Sequence, residues 1–562
     1  METKQSKRRE IDESQAEVIE SKEQYLLVEA PAGYGKTYTM VSMIEHWISS
    51  DQIKNFQRIL CMTFSTSAAN KLKESIEQDS GLYTFNGFSP KRIISTNFHG
   101  LCRIILRKYG YLVGLSNIES LKGITPSRKN LSKDKYEIIT KLDTGVSNAT
   151  LEEKSLYEII PKYNEIILDE FISKGTIPFN SIITFTLQLL NDHAEICKFY
   201  NKYFYAVCID EFQDTNLLGR ALIELLLDKQ TRFVGFGDPM QRIYGFLGAM
   251  PDLMQRGLPN KEIHHLQLKT NHRFQPNSNM FWLDKNIREF NKNPSKKDLH
   301  SSAYISYIEG ENKIDEGTKI VSLIEELKIK EPNATFAILV SLKSPENTGD
   351  LLRGITQKEK VFNALFSNED EEFVKFQDKV AKIYQSNFSV SPIIRGQIDK
   401  FIEEVSERVS KCDYIESFLS LLKAFLKKCT SSYEKNSRNE VIISTLQSHS
   451  LQQSIKDLEE KVIISTIHGA KGLEWDYVIL ANFEEGEFPG RTEIDSLNKL
   501  SKKVDKNLIN KFYVAFSRAR SEVYISYSKC HYERNSYTEY SVVPAKISRL
   551  SKLHLFNLKK IE

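Results

Sequence analysis

Residues 25–40 read YLLVEAPAGYGKTYTM. A short apolar run, Tyr25 to Val28, leads into two glycines, Gly33 and Gly35, and then into Lys36 and Thr37. The pattern of a phosphate-binding loop is G-x-x-x-x-G-K-[ST]; here it runs from Ala30 to Thr37, with alanine in place of the first glycine. Small residues let backbone N–H groups turn inward around phosphate oxygens. Lys36 is placed to reach the β/γ-phosphates and Thr37 to hold Mg²⁺. A helix starting at Lys36 adds the partial positive charge of its N-terminus. Ala32, Gly33, Tyr34, Gly35, Lys36, Thr37 and Tyr38 are the candidate nucleotide-binding residues of the loop. A strand-to-helix turn that simply needs glycines is the plainer alternative. The strand before, the helix after and Lys-Thr in register favour phosphate.

Such a loop needs an acidic partner on a neighbouring strand. The stretch AVCIDEFQDT, residues 206–215, puts Asp210 and Glu211 directly after an apolar run. The C-terminal end of a strand is where open α/β sheets bind ligands. Asp210 is the candidate to position Mg²⁺, and Glu211 to accept a proton from the attacking water.

Outward from the loop, short apolar runs alternate with helical stretches: RILCMTF then SAANKLKESI, RIIST then FHGLCRIILRKY. This alternation predicts a parallel sheet with helices on both faces. Residues 110–174 turn polar and helical, after which YFYAVCI and RFVGF resume the sheet pattern. A second alternating region begins at AYISYI and FAILV, is interrupted over residues 344–460 by charge-rich helical sequence, and resumes at KVIIST, DYVILA and EVYISYS. The fold class expected is α/β, with two parallel-sheet units that each carry a helical insertion.

The remaining properties set bounds. At 562 residues the chain is too long for one core. Lys+Arg number 77 against Asp+Glu 74, a net charge of +3, so any polyanion must meet a local basic stripe. The seven cysteines are scattered with no CxxC pair, which argues against a zinc site or disulfide framework and fits a reducing compartment. The N-terminus is charged where a signal peptide is apolar, and no apolar run approaches a membrane span. A soluble cytoplasmic protein with no membrane partner is the expectation.

Five blocks carry a family pattern. AGYGKT, IDEFQDT, GDPMQRIYGFLGA, HGAKGLEW and YVAFSRAR resemble, in order, the motifs of the UvrD/Rep/PcrA branch of superfamily 1 helicases. The matches extend from Gln15 to Arg520. The resemblance implies two RecA-like domains with ATP in the cleft between them, and single-stranded DNA tracked with 3′-to-5′ polarity. It implies domain 1A over 1–109 and 175–271, insertion 1B over 110–174, domain 2A over 272–343 and 461–562, and insertion 2B over 344–460. Carried over residue by residue, Gln15 resembles the adenine-reading glutamine and Gln241 the γ-phosphate sensor. Arg273 and Arg518 resemble arginine fingers, and Glu474 the residue that hydrogen-bonds the ribose. Lys471 shares a block with His468, a DNA-coupling position. Phe64 and Phe246 match base-stacking positions, with Tyr244 beside the latter. Thr63, Thr96 and His99 lie in blocks that contact the DNA backbone.

Four positions depart from the family pattern. Ala30 replaces a glycine, His272 replaces the aromatic that stacks on adenine, Leu247 replaces an arginine, and the sequence before Tyr513 lacks paired acids. They touch coupling and grip more than the hydrolytic centre. The implied activity is an ATP-dependent DNA helicase acting on single-stranded and tailed duplex DNA. The alternative is a DNA- or nucleotide-gated ATPase switch that regulates a partner nuclease. Compact helicases of this branch also occur in Gabija-type antiphage systems beside a separate nuclease subunit, and size and divergence raise that expectation here.

Overall fold

The computed structural model describes residues 10–561 except 51, 64–68, 70–71, 74, 77–89, 125, 127–130, 244–247, 251, 295–299, 301, 342–344, 367–369, 389–390, 434, 448–450, 491–505, 535–539 and 554. The chain divides into two compact units, Met1–His272 and Arg273–Glu562.

The first unit is built on a six-stranded sheet of order β3-β2-β6-β7-β1-β8. Its strands are β1 (Tyr25–Glu29), β2 (Arg58–Thr63), β3 (Ile93–Asn97), β6 (Phe204–Ile209), β7 (Arg232–Gly237) and β8 (His264–Gln267). Every pairing is parallel. Side chains alternate across a strand, so adjacent residues enter different cores. Leu26, Val28, Ile59, Cys61, Val234 and Phe236 pack on one face. Leu27, Leu60, Met62, Val207, Ile209 and Phe233 pack on the other. Burial on both faces is why these strands read as unbroken apolar runs rather than as alternation. Each fully buried Leu, Val or Phe contributes ~1.5–3 kcal/mol relative to exposure.

Helix α1 (Glu13–Ile19) precedes β1, and helix α2 (Lys36–Ser49) follows the glycine loop. In α2 the buried residues Met40, Met43, Ile44, Trp47 and Ile48 fall at helical spacing, which fixes the face laid on the sheet. Between β3 and β6 the described residues form five α-helices, Phe98–Tyr109, Lys133–Ser147, Glu153–Glu170, Phe179–Asp192 and Ala194–Tyr203, and a small parallel ladder of β4 (Lys122–Ile124) with β5 (Thr176–Pro178).

The second unit holds a seven-stranded parallel sheet of order β11-β12-β10-β13-β14-β9-β17. Its strands are β9 (Tyr304–Gly310), β10 (Phe336–Val340), β11 (Phe362–Ala364), β12 (Val462–Thr466), β13 (Trp475–Leu480), β14 (Ala519–Ser528) and β17 (Asn557–Lys560). β15 (Cys530–Arg534) and β16 (Tyr540–Pro544) form an antiparallel hairpin. Within the span 344–460, residues Phe362–Ala364 pair with β12 at the sheet edge. The helical excursion follows that strand, with helices Glu371–Phe388, Ile398–Arg408, Ile415–Ser432 and Lys435–Gln447.

At the C-terminal ends of β9, β13 and β14 sits a buried polar network. Lys313, 2% exposed, donates to Glu316 Oε2 at 2.9 Å, to Glu484 Oε1 at 2.6 Å and to Asn482 Oδ1 at 3.0 Å. Glu316 Oε1 accepts from Ser526 Oγ at 2.7 Å, and His531 Nδ1 lies 3.0 Å from Glu484. Burial works to lower the Lys313 pKa, but the Glu316 and Glu484 carboxylates outweigh it and hold the ammonium above its ordinary value.

Candidate functional site

The strands of the first unit run parallel, so their C-terminal ends share one edge, and the loops leaving that edge carry the predicted residues. From β1 comes the glycine loop. Ala30 N–H donates to Gly237 O at 2.8 Å, which ties the loop's start to the end of β7. Gly33 and Gly35 both adopt φ of +82°, a region costly for residues with a Cβ. At Gly35 a Cβ would also lie 2.5 Å from Gln15 Nε2. Thr37 is the second residue of α2 and half-buried, as are Ala32, Tyr34 and Tyr38.

From β6 come Asp210 and Glu211. Asp210 N–H donates to Met62 O at 2.8 Å, which holds the turn against β2. Glu211 takes a left-handed φ of +57°, uncommon for a non-glycine residue, and its N–H donates to Asp210 Oδ1 at 3.0 Å. Lys36 Nζ pairs with Asp210 Oδ1 at 3.1 Å and also with Glu211. Burial tends to lower the Lys36 pKa. The Asp210 and Glu211 carboxylates outweigh it and hold the ammonium above its usual range. Burial pushes the Asp210 carboxyl up, with Lys36 opposing.

The contacts continue into a third loop. Gln213, 1% exposed, donates from Nε2 to Glu211 Oε2 at 2.6 Å and accepts at Oε1 from Asp238 N–H at 3.1 Å. Asp238 accepts from Met240 N–H at 3.0 Å and from Gln241 Nε2 at 3.0 Å. Lys36, Glu211, Gln213, Asp238 and Gln241 therefore form one unbroken path across three loops. Gln213 and Asp238 were not among the predicted site residues. The density of amides and acids in IDEFQDT and GDPMQ is the signal that could have found them.

The remaining residues of this unit are placed as follows. Gln15 is fully buried in α1, and its Nε2 has no hydrogen-bond partner among the described residues. His272 donates its backbone N–H to Gly33 O at 2.8 Å, and its ring lies beside Gly35. Thr63 ends β2 with no exposed surface. Thr96 is half-buried near the end of β3, one residue before Asn97, whose side chain caps helix Phe98–Tyr109 by accepting from Gly100 N–H at 2.7 Å. His99 packs on Phe179, ring centroids 3.7 Å apart. Burial, then the Arg103 cation, lowers its pKa to about 3, so the ring is neutral. Phe64, Tyr244 and Phe246, and the departure at Leu247, lie outside the described residues.

In the second unit Arg273 donates to Glu474 and to Ser517 O. Arg518, 4% exposed, donates to Val514 O at 3.1 Å, to Leu473 O at 3.3 Å and to Ser517 Oγ at 2.9 Å. Both arginines and Glu474 thus gather where HGAKGLEW meets YVAFSRAR. Arg520, which sequence reasoning did not single out, also reaches Glu474 at 3.4 Å. His468 stands in the turn after β12, where its carbonyl accepts from Lys471 N–H at 3.2 Å. Tyr513 OH donates to Asp284 Oδ1 at 3.0 Å and accepts from Arg288, so its helix is anchored without the paired acids that the family pattern places before it.

Comparison with known proteins gives two family matches. The UvrD/REP helicase N-terminal domain matches residues 11–262, and the UvrD-like helicase C-terminal domain matches residues 346–530. Among curated relatives, the chain is 22% identical to the ATP-dependent DNA helicase PcrA of Bacillus subtilis, over 92% of this chain and 82% of that protein. It is 26% identical to a probable DNA helicase II homolog of Mycoplasma capricolum, over 90% and 82%.

Proposed function

The chain belongs to the UvrD/REP family of ATP-dependent DNA helicases, and from that premise we propose that it is a motor that moves along single-stranded DNA with 3′-to-5′ polarity and separates tailed duplexes. The observation that carries the proposal is the path from Lys36 through Glu211, Gln213 and Asp238 to Gln241. It joins the residue proposed to hold the phosphates, the proposed general base and the proposed γ-phosphate sensor in one hydrogen-bonded unit. Loss or gain of the terminal phosphate is thereby felt at residues 237–243, which in sequence immediately precede the proposed base-stacking positions Tyr244 and Phe246.

Within this reading Lys36 binds the β/γ-phosphates, Glu211 takes the proton of the attacking water, and Arg273 and Arg518 stabilise charge on the transferring phosphoryl group. Glu474 is proposed at the ribose, and Thr63, Thr96, His99 and His468 at the DNA backbone. Thr37 and Asp210 would hold Mg²⁺. Among the described residues no group of three or more acidic, His or Cys side chains could form a metal cage. One hydroxyl and one carboxylate fit Mg²⁺, a hard cation that completes its octahedron with water and phosphate oxygens. We also propose residues 110–174 as insertion 1B and residues 344–460 as insertion 2B, the latter contributing the edge strand Phe362–Ala364.

Among the described residues no helix is long and apolar enough to cross a membrane. The matched families and named relatives are those of helicases, and they give the Gabija-type link and a nuclease partner no support.

The test is ATP hydrolysis with and without single-stranded DNA, for wild type, Lys36→Ala and Glu211→Gln. DNA should stimulate the wild type many-fold and neither variant should respond. Unwinding of 3′-tailed but not 5′-tailed duplex establishes polarity. Stimulated hydrolysis with no unwinding of either substrate would point to the ATPase switch.

A further inference from the structure

The position at which the family pattern carries a stacking aromatic holds His272, and the structure shows what steadies that ring. His272 Nε2 lies 2.7 Å from Asp12 Oδ2. A carboxylate can only accept, so the imidazole donates from Nε2. The same carboxylate serves the other wall of the pocket. Asp12 Oδ1 accepts from Gln15 N–H at 3.0 Å and from Ser14 Oγ at 2.6 Å, and Asp12 N–H donates to Gln15 Oε1 at 3.2 Å. Gln15 Nε2 and His272 Cδ2 then flank Gly35, within 2.5 Å and 3.5 Å of where its Cβ would stand. Asp12 therefore braces both groups beside the glycine loop, although it lies 260 residues from His272 in sequence.

We propose that Asp12 is a positioning residue of the nucleotide-base pocket, which locks the His272 ring into a stacking wall and orients the Gln15 amide towards the base. The proposal rests on the reading of this site as an ATP site. An imidazole presents less stacking surface than tyrosine and can pivot about its χ2 torsion. A charge-assisted hydrogen bond to Asp12 removes that freedom. The fully buried Gln15 Nε2, which has no hydrogen-bond partner among the described residues, is the donor offered to the base.

Asp12→Asn separates this role from helix capping, because asparagine caps a helix N-terminus as well as aspartate does. Its amide leaves His272 Nε2–H facing a poorer or competing partner. The probes are a ribose-labelled fluorescent ATP analogue and, by competition, inorganic tripolyphosphate, which has no base to stack. In D12N the analogue should bind about tenfold more weakly while tripolyphosphate affinity stays within about twofold, as expected for loss of one charge-assisted hydrogen bond at the base alone. His272→Phe supplies a stacking ring that needs no carboxylate, so adding D12N to H272F should cost less than about twofold. Equal binding by D12N and wild type overturns the proposal. So does parallel weakening of the analogue and tripolyphosphate, or an equal D12N effect in both backgrounds. If wild type fails to bind the analogue, or Lys36→Ala binds it as well as wild type, the ATP-site reading itself fails.

Discussion

Replacing Gln213 with leucine should weaken the site and destabilise the first unit while leaving its volume filled. Leucine removes the 2.6 Å bond to Glu211 and leaves the Asp238 N–H, now bonded at 3.1 Å, without that acceptor inside the protein. A hydrogen bond to a charged group is worth ~1.5–3 kcal/mol, and stranding a buried amide costs a further ~1–3 kcal/mol. The first unit should lose ~4 kcal/mol in all, and at ~2–4 °C per kcal/mol for a unit of this size its melting point should fall by roughly 10 °C. The catalytic effect is smaller, because Glu211 keeps Lys36 and loses only one of its orienting partners. If about half of the charged bond is realised in the hydrolytic step, kcat falls about tenfold at saturating ATP and DNA. The assay is steady-state ATP hydrolysis with saturating single-stranded DNA, run beside thermal unfolding of the same preparation. A variant that melts within about 2 °C of wild type and turns over within about twofold would refute the reasoning, since the path would then carry neither stability nor chemistry.

Gly35→Ala meets a φ of +82° and Gln15 Nε2 at 2.5 Å, so it should fold but lose binding of fluorescent ATP; binding within about twofold of wild type would count against the geometry of the loop. His99 is held neutral, with its pKa lowered to about 3 from 6.5. Between those values the unfolded chain binds a proton that the folded chain refuses, so stability falls as pH drops below the unfolded pKa and is flat above it. The slope is at most ~1.4 kcal/mol per pH unit, and urea unfolding at pH 7.5 and 5.5 should show it in wild type and show less of it in His99→Phe. Lys313→Met leaves the buried carboxylates Glu316 and Glu484 without their cation, and unfolding of the second unit should be easier by ~3–5 kcal/mol. Arg549→Ala, which breaks a more exposed pair with Glu485, should cost ~0–1 kcal/mol, and equal losses in the two variants would contradict the burial argument.

Most of what positions the site was legible because it is local. The runs YLLVE, FYAVCI and RFVGF are buried on both faces, and their chemistry follows within two or three residues of the strand end. β8 was not legible, since HHLQ is polar and stands at the sheet edge with two exposed residues. β11 has three residues, too few for a period, so the sequence carries no sign of it. The bridge of Gln213 to Asp238 and the brace of Asp12 on His272 join residues far apart in sequence. No local pattern encodes them. The left-handed turn at Glu211 escaped for a different reason: glutamate carries no propensity for it, and the geometry is imposed by the bonds around it.

Strand order gives the two units different histories during synthesis. By the time β8 leaves the ribosome, every strand of the first sheet has been made, and that unit can close its sheet. The second sheet begins with β9, whose outer neighbour is β17, the last strand in the chain. Until residues Asn557–Lys560 emerge, one side of β9 offers unpaired N–H and C=O groups to any passing strand, while the whole helical excursion and both halves of the hairpin are still being made. That edge of β9 is therefore exposed to mispairing and to chaperone capture on the nascent chain.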